Sequence, residues 1–462
     1  MGAPCIMLTL AKQRDLSRFL AALPPKRALQ LAALAERKRI AGERGFPADL
    51  ILEALRPTLA EQEAARTPTP QRLFCEPFAD FLVDDREIKQ PGRIARSSVR
   101  VMWRWLAREA MGGTLHELEA QIGDAVLAEN LRLQEELLQR LRRNVVNVVR
   151  IATATAAEDS AARAELAAKF GSEDVLIDIE EIALLLAAED DLLPLREVLP
   201  KRIDTLKDDH VDQILAARVR LGERKAELVP YLGLLMLARL DQPWQALRLT
   251  GSGRRGRTDF NAIGDVLIAD AESLAVDIAA TQVDLLNPDV LAARFYRFER
   301  LARGLSHEMR SRHGAQWTQA LQRIKDLAHG TLESLFAQAP REVAAALPLT
   351  KAGAFSMRRH RQPDLTHDPD PLKLDRALRW TCLLTNTAST APKSALAQHH
   401  KKAFDAVSAY LSSYAESAAA ELKTPDIDKH ARVQAYLKHA NELLNTLITA
   451  SEDDDIQHRI AM

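Results

Sequence analysis

Arg96, Arg100, Arg104 and Arg108 fall four residues apart in the segment RIARSSVRVMWRWLAREA, with Arg93 just ahead of them. A guanidinium stays charged in proteins and presents its donors in a planar fork that matches carboxylate and phosphate. A row of them is chemistry for holding an anion. In a helix of about 3.6 residues per turn, steps of four keep such side chains on one face with a slow drift. The opposite face of the segment carries Ile94, Val101, Trp105 and Leu106. Two readings of this ridge are open: a charged face that is solvated or paired with acidic neighbours, or a surface for nucleic acid, nucleotide or acidic protein.

Two further segments concentrate arginine. GSGRRG, with Gly251, Gly253 and Gly256, has the spacing of a dinucleotide-binding fingerprint, and Asp270 and Glu272 follow where a ribose partner would stand. That chemistry needs a parallel sheet to deliver the turn to a helix N-terminus, and the preceding PWQALRLT offers one short strand with no neighbours. The segment reads as a flexible basic linker in which Arg254, Arg255 and Arg257 are anion-binding candidates. In RFYRFERLARGLSHEMRSRH, Arg294 and Arg297 alternate with Phe295, Tyr296 and Phe298, a combination that can hold phosphate and stack a base. Phe295 and Phe298 also occupy core positions of a helical seam, which leaves Tyr296 and the arginines for a ligand.

The loop QPDLTHDPDPLKLD brings together Asp364, His367 and Asp368 as candidate metal ligands, with Asp370 ahead of Pro371 as a helix cap. The glycine and terminal glutamate of an EF-hand are missing, so a site there would be irregular. His116-Glu117 and His307-Glu308 begin a zincin-type motif, but Ala120 and Ser311 stand where the second histidine belongs. Without two imidazoles one turn apart, that metal site fails. No nucleophile elbow, Walker-type phosphate loop, kinase signature or paired Cys and His appears. No cofactor is expected, and an enzyme that assembles its site from scattered residues is the lower-ranked alternative.

With 462 residues the chain exceeds what one hydrophobic core usually holds, so two to four domains or an extended helical array are expected. The net charge of −1 argues against a protein whose whole surface is built for nucleic acid. Cys5, Cys75 and Cys382 stand far apart with no CxxC, so neither a disulfide scaffold nor a zinc knuckle is supported. No run of about eighteen apolar residues is uninterrupted, and MGAPCIMLTLAKQRDLSRFL lacks the layout of a secretory leader. The expectation is a cytoplasmic protein with no membrane span.

Apolar residues recur at three and four almost everywhere, so the chain reads as all-α: a multidomain antiparallel helical bundle or helical-hairpin array. Three seams stand out. Leu127, Leu131, Gln134, Leu138, Leu141, Val145 and Val148 form the first; Leu291, Phe295, Phe298, Ala302, Leu305 and Met309 the second; Trp317, Leu321, Ile324, Ala328, Thr331 and Leu335 the third. The last two are out of phase, which predicts a long helix over 288–338 kinked near His313 and Gly314. Such seams pack either inside a bundle or between chains as a coiled coil. Joints at 251–257 and 351–370 divide the chain into an N-terminal helical region, 1–250, a central long-helix region, 258–350, and a C-terminal bundle, 371–462.

Together these features predict a non-enzymatic interaction or scaffold protein that works through helix faces, with a protein partner and self-association as its expected assemblies. Binding of nucleic acid or another polyanion through the ridge is the alternative.

Overall fold

A computed structural model of the chain describes residues 16, 19–20, 23–40, 51–52, 54–55, 69–83, 89–223, 225–250, 260–309, 315–350, 362–423 and 427–460. Helix takes 82% of it, and the all-α expectation holds. Among the described residues the one sheet is a parallel pair, β1 (Leu82–Val83) and β2 (Ile94–Ala95), with Leu82 opposite Ile94.

The chain forms two compact units. One comprises Met1–Arg66, Glu272–Arg300 and Arg323–Met462, the other Thr67–Ala271 and Leu301–Gln322. This interleaved pair and the three consecutive regions expected from the sequence are different divisions of the same chain.

In the first unit, α1 (Pro25–Ile40) contributes Ala28, Ala32 and Ala35 to a small core with Leu20, Ile51 and Leu55. The larger core lies among three helices, α14 (Pro371–Asn386), α15 (Ala397–Glu421) and α16 (Ile427–Ile460), which pack side by side. Trp380, Val407, Leu411, Tyr414, Val433 and Tyr436 are buried there. Asp370 caps α14 as its position before a proline predicts: its Oδ1 accepts from Leu372 N–H at 2.9 Å, and Pro371 opens the helix without losing a bond.

The second unit holds α2 (Pro70–Cys75), α3 (Arg96–Trp105), α4 (Gly113–Leu127), α5 (Leu131–Glu158), α6 (Ser160–Phe170), α7 (Glu173–Ala187), α8 (Glu189–Val198), α9 (Asp208–Gly222) and α10 (Val229–Arg239). α5 packs against α4, α6 and α7, and α3 lies on α7. The start of α7 follows from local chemistry. Gly171, at φ 105°, ends α6 in the left-handed region that favours glycine, and Ser172 Oγ then accepts from Val175 N–H at 3.3 Å to cap the new helix. α10 is apolar on nearly every side, and Val229, Leu232, Leu234, Leu235, Met236 and Leu237 are all buried, as such a helix must be.

Within the long kinked helix expected over 288–338, the described residues form α12 (Pro288–Met309) and α13 (Ala315–Ala346). His313 and Gly314 lie outside the described residues. With α11 (Ala262–Ala279) these helices each supply residues to both units. The second seam is spent inside the protein, since Leu291, Phe295, Phe298, Ala302, Leu305 and Met309 are all buried. In the third, Leu321, Ile324, Ala328 and Leu335 are buried as well. The first seam is buried only from Leu138 onward, whereas Leu127 and Leu131 are 79% and 74% exposed.

Candidate anion-binding surface

The arginine ridge is built by α3 and the turn that follows it. α3 buries Ser98, Val99, Met102 and Trp105 and leaves Arg96, Arg100 and Arg104 exposed on the other side. Within α3 each step of four overshoots a turn of about 3.6 residues, so the row drifts around the helix. Leu106–Ala110 is instead a π-helical turn, and Met111 N–H donates to Leu106 O at 2.8 Å. Its i→i+5 bonding fits more than four residues into a turn, so the step from Arg104 to Arg108 falls short and opposes the drift. Arg108 is exposed too.

Among the described residues, no carboxylate lies within ion-pair distance of Arg100, Arg104 or Arg108. Arg104 Nε donates to Arg100 O at 3.4 Å, along the ridge itself. The nearby acid Glu109 is taken up by Lys169 at 2.5 Å. Arg93, just ahead of the ridge, pairs with Asp270 at 3.1 Å.

A buried ionic cluster under the start of α3 holds the ridge in place. Lys89 Nζ lies 2.8 Å from Asp178 Oδ1 and 2.6 Å from Glu181 Oε2, both carboxylates projecting from α7. Asp178 Oδ2 accepts from Ala95 N–H at 3.0 Å and Ser98 Oγ at 2.6 Å, while Glu181 Oε1 accepts from Gly92 N–H at 2.7 Å. Tyr231 donates to the same Oε1 at 3.4 Å, and burial, with the Glu181 charge beside it, pushes the phenol above its ordinary range. These hydrogen bonds fix the loop 89–95 and the first turn of α3, as buried charges require partners. Asp178 and Glu181 leave no mark in the apolar periodicity of the chain. Their signal was two acids three residues apart within the strongly apolar run of α7.

The same unit contains a groove of about 460 Å³ between α5 and the corner from α7 to α8. At its base Arg142, only 4% exposed, pairs with Glu189 at 2.7 Å and donates to Leu73 O at 2.8 Å. Burial raises the Glu189 carboxyl; Arg142 opposes that shift, and the Glu135 and Asp190 charges add to it. Cys75 is no activated nucleophile, because burial pushes its thiol up to about 12 despite Arg142 and Arg96.

The other predicted residues lie on other elements or outside the described residues. Arg254, Arg255 and Arg257 lie outside the described residues. Arg294 donates to Asp277 O at 3.3 Å, with the Asp277 carboxylate 3.8 Å from its Nε, and Arg297 is exposed. Phe295 and Phe298 are buried, so of the aromatic set only Tyr296, 54% exposed, faces solvent. The carboxylates among the metal candidates are engaged by other partners. Asp364 accepts from Thr366 N–H at 3.0 Å and from its hydroxyl, Asp368 pairs with Arg432 at 2.6 Å, and the backbone carbonyl of His367 accepts from Tyr436. Among the described residues no three His, Cys, Asp or Glu side chains converge on a metal position. No family model matches the chain, nor does any curated protein or solved structure.

Proposed function

We propose that this protein is a non-enzymatic helical interaction protein that docks an acidic partner protein on the Arg96–Arg108 ridge. One observation carries the reading: Arg100, Arg104 and Arg108 stand exposed on an element whose other face is locked into the core, and no described carboxylate pairs with them. A charged face that served only to pair within the fold would have its acids in place. The second and third seams support an interaction role less than the ridge does, because the fold itself buries them. An acidic protein fits better than nucleic acid because 64 acidic residues balance 63 basic ones, and nucleic-acid surfaces belong to strongly basic domains. A partner helix with carboxylates every four residues repeats at about 6 Å, the rise of the ridge itself.

Fluorescence anisotropy with a labelled poly-glutamate peptide tests this. The full chain binds it with an affinity that falls as salt rises. Arg100→Glu with Arg104→Glu weakens binding by about 10- to 100-fold, since each reversal turns attraction into repulsion. The melting temperature of the double variant stays close to that of the parent, because glutamate is also a good helix former. Unchanged binding, or a large drop in melting temperature, overturns the proposal. Tighter binding of a single-stranded oligonucleotide than of poly-glutamate would transfer the ridge to nucleic acid.

A further inference from the structure

We infer that the oxygens beneath the start of α3 form a binding site for one primary ammonium group, which Lys89 fills as a tethered ligand, and that filling it holds the ridge in its binding position. The first part stands on the cage alone; the second rests on the proposed docking function of the ridge. Lys89 Nζ has four oxygens around it: Glu181 Oε2 at 2.6 Å, Asp178 Oδ1 at 2.8 Å, Arg93 O at 2.9 Å and Gln90 O at 3.0 Å. An ammonium has three protons to donate. They go to Glu181 Oε2, Arg93 O and Gln90 O, which leaves Asp178 Oδ1 buried beside the cation without a hydrogen bond. Its contribution to the site is charge.

The cage is oriented by bonds that do not involve the lysine. Asp178 Oδ2 accepts from Ala95 N–H and Ser98 Oγ, and Glu181 Oε1 accepts from Gly92 N–H. Each carboxylate is thus fixed by its far oxygen and turns its near one to a common point. The Asp178 and Glu181 side chains are 2% and 11% exposed, so a cation there meets little competing water. The separations are those of N–H···O bonds, whereas calcium takes about six to eight oxygens at roughly 2.3–2.6 Å, more and closer than this cage offers. The ammonium also ties the Gln90 and Arg93 carbonyls of the loop to the carboxylates of α7, and that loop leads directly into the ridge helix. Lys89→Ala removes the atoms from Cγ to Nζ, which are those of n-propylammonium, and leaves a channel of that shape.

The test is thermal melting of the full chain, Lys89→Ala and Lys89→Met, each in n-propylammonium chloride and in tetramethylammonium chloride at equal concentration. Lys89→Ala melts lower by about 10 °C, the scale of breaking a buried ion pair in a protein of this size. Propylammonium recovers most of that drop with a saturable dose dependence, as a ligand of the folded state does. Tetramethylammonium, which has no N–H to donate, recovers nothing. The parent, whose site is filled, gains nothing from the amine, and neither does Lys89→Met, whose uncharged stem occupies the channel. If Lys89→Ala is unfolded on its own, return of the helical circular dichroism signal on adding propylammonium is the same readout. No gain over tetramethylammonium, an equal gain in the parent, or recovery by calcium chloride but not by the amine overturns the ammonium site. Poly-glutamate anisotropy on the same samples reads the coupling to the ridge: binding falls about tenfold in Lys89→Ala and returns with propylammonium. Undiminished binding by Lys89→Ala overturns that coupling, whereas amine rescue of melting in a protein whose parent does not bind poly-glutamate overturns the ridge and leaves the ammonium site standing.

Discussion

Ser98 Oγ donates to Asp178 Oδ2 at 2.6 Å, with both residues buried. This bond joins the first turn of the arginine-bearing helix to α7, and Asp178 also takes the Ala95 N–H that the helix start leaves without an internal partner. A carboxylate at that end also suits the helix dipole. The exposed ridge therefore depends on a buried charge cluster one layer beneath it.

Asp178→Ala removes two acceptor bonds and one of the two countercharges of Lys89. Breaking a buried pair from one side typically costs about 3–5 kcal/mol, and urea denaturation of the variant is expected to show a loss of that order. Ser98→Ala, which deletes one hydrogen bond, is expected to cost about 1 kcal/mol. Equal small losses for the two substitutions would mean that the cluster does not anchor the helix.

Much of this was legible in the sequence because helix formation leaves a periodic trace. The second and third seams, the cap at Asp370 and the face carrying Arg96, Arg100 and Arg104 follow from spacing and capping chemistry alone. The partners of charged residues were not legible. Whether Arg93 meets Asp270 or Arg142 meets Glu189 depends on contacts between residues 177 and 47 positions apart, and local periodicity carries no information at that range. The π turn at Leu106–Ala110 was missed for a different reason: its apolar and charged positions also satisfy an α-helical pattern over so short a stretch.

Gly264 and Trp317 make a second testable contact. A Cβ on Gly264 would overlap the indole of Trp317, whose Nε1 donates to Asp265 at 2.9 Å and so holds the ring in place. Gly264→Ala improves helix propensity by about 1 kcal/mol in isolation. Overpacking costs about 1–3 kcal/mol, and it wins here because the ring cannot move without losing its hydrogen bond. The variant is expected to melt below the parent, and pairing it with Trp317→Leu should recover part of the loss. A stabilised Gly264→Ala single variant would contradict the contact.

His400 gives the first unit a pH dependence of predictable sign. The ring is buried, in edge contact with Phe336 at 5.2 Å between centroids and stacked on Phe404 at 6.0 Å. Its Nε2 is 2.8 Å from Leu384 O, and since a carbonyl only accepts, that nitrogen carries the proton. Burial lowers the imidazole below its ordinary value of 6.5, and the bond to Leu384 opposes this more weakly. As pH falls through 6.5 the unfolded chain takes up a proton that the folded ring still refuses, so the unfolded state is favoured. The contribution of His400 is complete above 6.5 and is lost as pH falls through the lower, folded-state value. His400→Leu leaves the Leu384 carbonyl without its donor and is expected to lose about 1–3 kcal/mol at pH near 7.5. Its stability should then decline less than that of the parent on acidification. Urea midpoints for both proteins at about pH 7.5 and 5.5 measure the difference, which isolates this residue from the other histidines. Parallel declines would mean that the ring is protonated equally in the folded and unfolded states.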